Sequence, residues 1–163
     1  MKKRIIAAAV LIPLLLVVLY PAPKIVMTIV LSLFCAISTY ELLYTTGLVR
    51  HVRLNLYSAI VAAAIPIWCH FGSERIWAEV TVFTFFVILF IELLQSNPKV
   101  KFEQVCMCIA AGLVIPYLFS GLVRIMISVN GRYVILIPFI VSFLSDTGAY
   151  FAGLKFGKHK LAP

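Results

Sequence analysis

The chain has 163 residues, of which 63% are hydrophobic and 12% charged, and a formal net charge of +8. A soluble globular domain carries roughly twice that charged fraction, so too little polar surface is present to coat a water-soluble core. The composition implies an integral membrane protein; the basic residues sit in short loops, where they set topology and meet anionic headgroups, and no nucleic-acid partner is expected.

Six apolar runs, at about 5–20, 25–44, 56–71, 76–94, 105–129 and 133–154, are long enough, or nearly so, to cross about 30 Å of hydrocarbon. The predicted fold is all-α: a polytopic membrane protein of about six transmembrane helices, forming a single domain over residues 1–163. The opening "MKKRIIAAAVLIPLLLVVLYPAPK" imitates a secretory signal. It lacks an Ala-x-Ala-like cleavage site and five further runs follow, so it reads as an uncleaved first helix.

The second run holds Cys35 and ends near Glu41. The third holds Pro66, Cys69 and His70, and the fourth carries Glu79 and Glu92 near its ends. Cys106, Cys108, Pro116 and Arg124 follow in the fifth, Pro138 and Asp146 in the sixth. The four cysteines lie inside apolar runs without the spacing of a zinc site and read as small packing residues. Proline inside a span implies a kink whose freed carbonyl a neighbour or water must satisfy. His70, at the outer end of its run, reads as interfacial.

Every connection is short, which makes successive helices antiparallel neighbours. Alternate loops differ sharply in charge. One side holds Lys2, Lys3, Arg4, Arg50, Arg53, Lys99, Lys101, Lys155, Lys158 and Lys160; the other holds Lys24, Arg75 and Arg132, with Arg124 at a span's end. By the positive-inside rule both termini are cytoplasmic.

Asp146 is the only aspartate. It precedes Lys155 by nine residues, roughly 13 Å of helix. A carboxylate at that depth costs about 2.5–3.5 kcal/mol on insertion scales. Such a group is expected to face a protein-lined or watery cavity and to have a partner. Ser142, Asp146, Tyr150 and Gly153 share one helix face by their spacing, with Ser145 and Thr147 beside it. Gly153 and Gly157 can end the helix, and Lys158, His159 and Lys160 follow. A shallow carboxylate beside lysines suits a polyphosphate, whose charge needs a divalent cation and basic side chains. No phosphate-binding glycine loop, His-Glu-x-x-His helix or Gly-x-Ser-x-Gly elbow is present. On the residues alone two other readings stay open: a small transporter or channel subunit with Asp146 as the coupling acid, and a membrane scaffold in which Asp146 pairs with Arg124 or a neighbouring helix.

The stretch "SDTGAYFAGLKFGKHKLAP", Ser145 to Pro163, closely resembles the segment before the active centre of phosphatidate cytidylyltransferases (CDP-diacylglycerol synthases). "KKRIIAAAVLIPLLLVVLYP" and "TYELL" resemble that family's amino-terminal region more loosely. The resemblance implies an enzyme that joins CTP to phosphatidate, releasing pyrophosphate, with Mg2+ as cofactor. It implies Asp146 as a catalytic and metal residue and Lys158 and Lys160 as catalytic contacts to the CTP phosphates. Ser145, Thr147, Gly148, Tyr150 and His159 would line the substrate site. It further implies a multi-pass protein of the cell (inner) membrane with its site facing the cytoplasm, in contact with membrane lipids and compatible with a homo-oligomer. The family continues past the equivalent of Pro163 into a lysine–aspartate signature absent from these residues, so the chain is expected to be an amino-terminal portion.

Overall fold

The computed structural model describes residues 22–72, 75–95 and 100–157, and the described residues form helices and turns without a strand. Four helical runs are long and apolar enough to cross a membrane: α1 (Lys24–Thr45), α2 (Val52–Phe71), α4 (Phe102–Ile127) and the run Gly131–Gly153. Helix α3 (Arg75–Leu94) has a comparable 20 residues. The last run consists of a single turn, α5 (Gly131–Val134), followed by α6 (Leu136–Phe156). The first predicted span, 5–20, lies outside the described residues.

The helix boundaries follow local chemistry. Pro23 precedes α1 with φ −57° and ψ 147°, extended backbone into which its ring locks readily. Gly72 closes α2 in the left-handed region (φ 59°), and its N–H donates to the Trp68 carbonyl at 3.1 Å. A glycine there caps the helix without the steric cost of a Cβ. Between α4 and α5 the backbone folds back so tightly that a Cβ on Gly131 would collide with the Ile125 and Met126 carbonyls.

The bundle is held together by a polar stripe on α1. Thr28, Ser32 and Thr39 lie on its buried face with Met27, Leu31 and Cys35. Thr28 Oγ1 lies 2.8 Å from His70 Nδ1 on α2, and Ser32 Oγ donates to the Ala63 carbonyl at 2.6 Å, just before Pro66. Thr39 Oγ1 donates to the Ala111 carbonyl of α4 at 2.9 Å. That third bond has a specific cause. Residues Ala110–Val114 form a π-helical turn in which the Ile115 N–H bonds back five residues to Ala110. In that register the Ala111 carbonyl would next bond Pro116, which has no N–H. Thr39 supplies the missing donor. A buried orphan carbonyl costs about 1–3 kcal/mol, so the Thr39 hydroxyl offsets what Pro116 removes.

Apolar packing completes the bundle. Leu43, Val49, Leu54, Phe85, Leu89 and Val105 cluster at one end, Met27, Met126 and Ile135 at the other. Gly112 lets α2, α3 and α4 approach closely, since a Cβ there would sit 3.2 Å from Ser58 Cβ and 3.3 Å from Phe85 Cζ. Lys24 Nζ donates to the Ile127 carbonyl at 3.1 Å, which joins the start of α1 to the end of α4. The antiparallel order predicted from the short connections holds for α1 through α4.

Two expectations are corrected and one is sharpened. The third span starts four residues before the predicted 56, at Val52. The run Gly131–Gly153 is interrupted at Ile135, so Pro138 becomes the third residue of α6, in a first turn whose N–H groups need no intrahelical partner. Cys35 and Cys108 are buried packing residues as expected, but Cys106 is exposed and Cys69 is half-buried and accepts a hydrogen bond from Arg124.

Candidate functional site

Helix α6 positions most of the residues that the sequence singles out. Its 21 residues run from Leu136 to Phe156, so Asp146 is the central one. At 1.5 Å per residue its Cα lies about 15 Å from either end. The helix is anchored only at its start, where Ile135 is buried and Leu136 and Phe139 pack against Met27 and Met126. From Ile140 to Gly153 every side chain is exposed.

Ser142, Asp146 and Tyr150 therefore stand on one exposed face, with Ser145, Thr147 and Gly148 on the same two turns. The Tyr150 ring meets Phe151 edge-on, centroids 5.6 Å apart. An added Cβ on Gly148 or Gly153 would meet nothing within 4 Å. No other described residue comes close to these two glycine positions. The cavity expected around Asp146 is likewise not built by the described residues. The physical reason is the shallow anchor of α6, whose apolar contacts end within a turn of Phe139. Lys155 is exposed on the last turn, and Lys158, His159 and Lys160 lie outside the described residues.

The suggested pairing of Asp146 with Arg124 is not formed. Arg124 Nη1 donates to Tyr117 Oη at 3.3 Å and Nη2 to Cys69 Sγ at 3.7 Å, with the guanidinium carbon 4.5 Å from the centre of the Tyr117 ring. Of the other acids, Glu41 is exposed at the end of α1 and Glu92 is half-buried near the end of α3.

Chemically, α6 offers one carboxylate, hydroxyls at 142, 145, 147 and 150, and a basic last turn. Among the described residues no cluster of three or more His, Cys, Asp or Glu is poised for a metal. A structural zinc-type centre is not what this surface resembles. Magnesium differs, since it keeps several waters and is bound through one or two carboxylates together with substrate phosphates. The donor set of α6, all oxygen with a single carboxylate, fits a cation that arrives with a nucleotide.

Two features escaped the sequence reading. Asn55 is fully buried, its Nδ2 donates to the Val49 carbonyl at 2.9 Å, and its Oδ1 has no partner. Nothing in a lone polar residue at a helix start distinguishes it from an exposed cap. Arg124 faces an open groove between α2, α3 and α4; its seven-residue spacing from Tyr117, two helical turns, was the available signal.

In comparison with known proteins, the model of the Cytidylyltransferase family matches residues 2–163. No curated protein and no solved structure matches.

Proposed function

The chain belongs to the cytidylyltransferase family, and on that premise we propose that it serves the transfer of a cytidylyl group from CTP to phosphatidate. A phosphate oxygen of phosphatidate forms a bond to the α-phosphorus of CTP, and the bond from that phosphorus to the bridging oxygen breaks. Pyrophosphate leaves with the electron pair, and CDP-diacylglycerol is the product. The observation that carries this reading is Asp146, a carboxylate at the centre of an apolar helix whose face is otherwise hydroxyl and glycine.

The lipid phosphate is itself the nucleophile, so no activated Ser or Cys is required. The catalytic need is to neutralise charge on the transferring phosphoryl group and the leaving pyrophosphate. Asp146 would hold Mg2+, which when bound supplies that neutralisation. Ser145, Thr147 and Tyr150 donate hydrogen bonds to the nucleotide, Gly148 leaves room for it, and Lys158, His159 and Lys160 contact the phosphates. Asp146 in lipid without such partners would be costly to insert, so occupancy of this face by water, cation and substrate stabilises the helix in place.

In this reading the chain spans the cell membrane six times: α3 and the segment before α1 join the four long apolar runs. The bias of basic residues places both termini, and the α6 site, at the cytoplasmic face. One substrate then arrives from the bilayer and the other from water. Family membership weighs against the transporter reading, which no observation favours.

The test uses the full product of the reading frame that encodes this chain, in membranes supplied with labelled CTP and magnesium. We expect label to enter CDP-diacylglycerol when phosphatidate is added, and not when soluble phosphomonoesters replace it. Transfer to a soluble acceptor in preference to phosphatidate would overturn the substrate assignment.

A further inference from the structure

A large concavity among the described residues is unrelated to Asp146. It is a groove of about 890 Å³ between α2, α3 and α4, with Arg124 at its mouth. Trp68, Gly72 and Ala78 border the same mouth, at the end of α2 and the start of α3. Inward, the groove is lined by Phe83, Phe86 and Val114. Arg124 and Val114 are ten residues apart on α4, which corresponds to about 15 Å of helix, or half the hydrocarbon thickness of a bilayer. A polar mouth level with the helix ends and an apolar floor near the midplane are the dimensions of one lipid leaflet.

The guanidinium is held in place at that mouth. Tyr117 lies two turns below it on α4 and takes both a hydrogen bond and a ring contact, while Cys69 on α2 accepts a second bond. Two of five N–H donors are used, which leaves three and the full positive charge directed at the groove opening. Glu79 also borders the groove, from α3, and has an interaction of its own within the chain. An exposed Arg stacked on an aromatic ring beside an apolar channel matches one class of ligand, an anionic phosphate carried on an acyl chain.

We propose that the α2–α3–α4 groove is a binding site for an anionic phospholipid of the surrounding bilayer, with Arg124 contacting its phosphate and the apolar floor its acyl chain. The site lies at the membrane face opposite the last turn of α6, because α2 and α4 end where α6 begins. It is thus separate from the cytidylyl-transfer site and would hold a resident lipid in that leaflet.

Trp68 is a built-in reporter. In nanodiscs with the Trp77→Phe background, quenching of Trp68 by acyl-brominated phosphatidylglycerol is compared with quenching by brominated phosphatidylcholine. One interfacial cation is worth about 1 kcal/mol toward an anionic lipid, so a preference of about fivefold is expected. Arg124→Gln should bring the ratio close to one, whereas Arg124→Lys, which keeps the charge, should retain a preference above that of Gln. A tryptophan moved to Leu33, on an exposed face of α1, in a Trp68→Phe, Trp77→Phe background should show a ratio near one. Three results would overturn the proposal: a ratio of one at Trp68 in the parent, an equal preference at position 33, or shielding of Trp68 from both lipids. The last would mean that protein, another segment or a second copy, fills the groove.

Discussion

The bundle of α1, α2 and α4 and the long helix α6 are similar in apolar character and opposite in how they are used. In the bundle, polar side chains point inward and bond buried carbonyls of neighbouring helices: Ser32 at Ala63, and Thr39 at Ala111, the carbonyl that Pro116 leaves without a donor. On α6 polar side chains occupy an exposed face, and from Ile140 to Gly153 every side chain is exposed among the described residues. Hydropathy alone cannot separate the two, since each run passes for a span. What separates them is whether a polar group has a geometric debtor inside the chain. Where it has one, it is structural; Asp146 has none among the described residues, which suits the ligand role proposed for it.

That contrast can be broken or sharpened by substitution. The largest effect is expected at Asp146. Changing it to Asn should lower turnover by about a hundredfold or more, since the change removes several kcal/mol of charge stabilisation through the metal. The same variant should not weaken the resistance of the protein to unfolding in mixed micelles, since a neutral amide costs no more than a carboxylate to hold in an apolar helix. Next comes Gly131→Ala. Its new Cβ would collide with backbone carbonyls that cannot rotate away, and a loss of about 1–3 kcal/mol in the same unfolding assay is expected.

Asn55→Ala follows, at about 1–3 kcal/mol, because the Val49 carbonyl would lose its buried donor. The partnerless Oδ1 disappears in the same change, which sets the effect toward the lower end. Thr39→Val tests the proline account most narrowly. It keeps the shape and removes the donor to Ala111, and should cost about 1 kcal/mol. A neutral result would mean that water or another group already serves that carbonyl. The smallest effect belongs to Gly148→Ala. The added methyl meets nothing and a helix-interior alanine is favoured over glycine by about 0.5–1 kcal/mol, so stability should hold or rise slightly while turnover falls if nucleotide approaches there. A destabilised Gly148→Ala would show that α6 is packed where it stands exposed.

Much of the bundle was legible in the sequence because length and apolar character decide where a backbone can cross lipid, and short links decide who neighbours whom. The runs 25–44, 76–94 and 105–129 fall within a few residues of α1, α3 and α4. The start of α2 was read late because Arg53 and Asn55 look like loop residues, yet Asn55 is buried through a bond that only the fold reveals. Pro138 was read as a kink, and the run does break beside it; composition could not place that break at Ile135, which makes Pro138 a first-turn residue. The π-helical turn before Pro116 had no signature in hydropathy at all. At the site, helical spacing correctly put Ser142, Asp146 and Tyr150 on one face. Whether anything covers that face depends on tertiary contacts, which spacing does not encode, and the Arg124–Tyr117–Cys69 contact depends on two helices at once.

The central claim is that Asp146 serves chemistry and contributes little to the fold. Magnesium-dependent formation of CDP-diacylglycerol by the full reading-frame product, measured for the parent and for Asp146→Asn at matched membrane levels, tests it most directly. The account predicts normal insertion and unfolding for the variant, with product formation reduced by about a hundredfold or more. Normal turnover in Asp146→Asn, or a variant that fails to insert while Gly148→Ala remains stable and active, would contradict it.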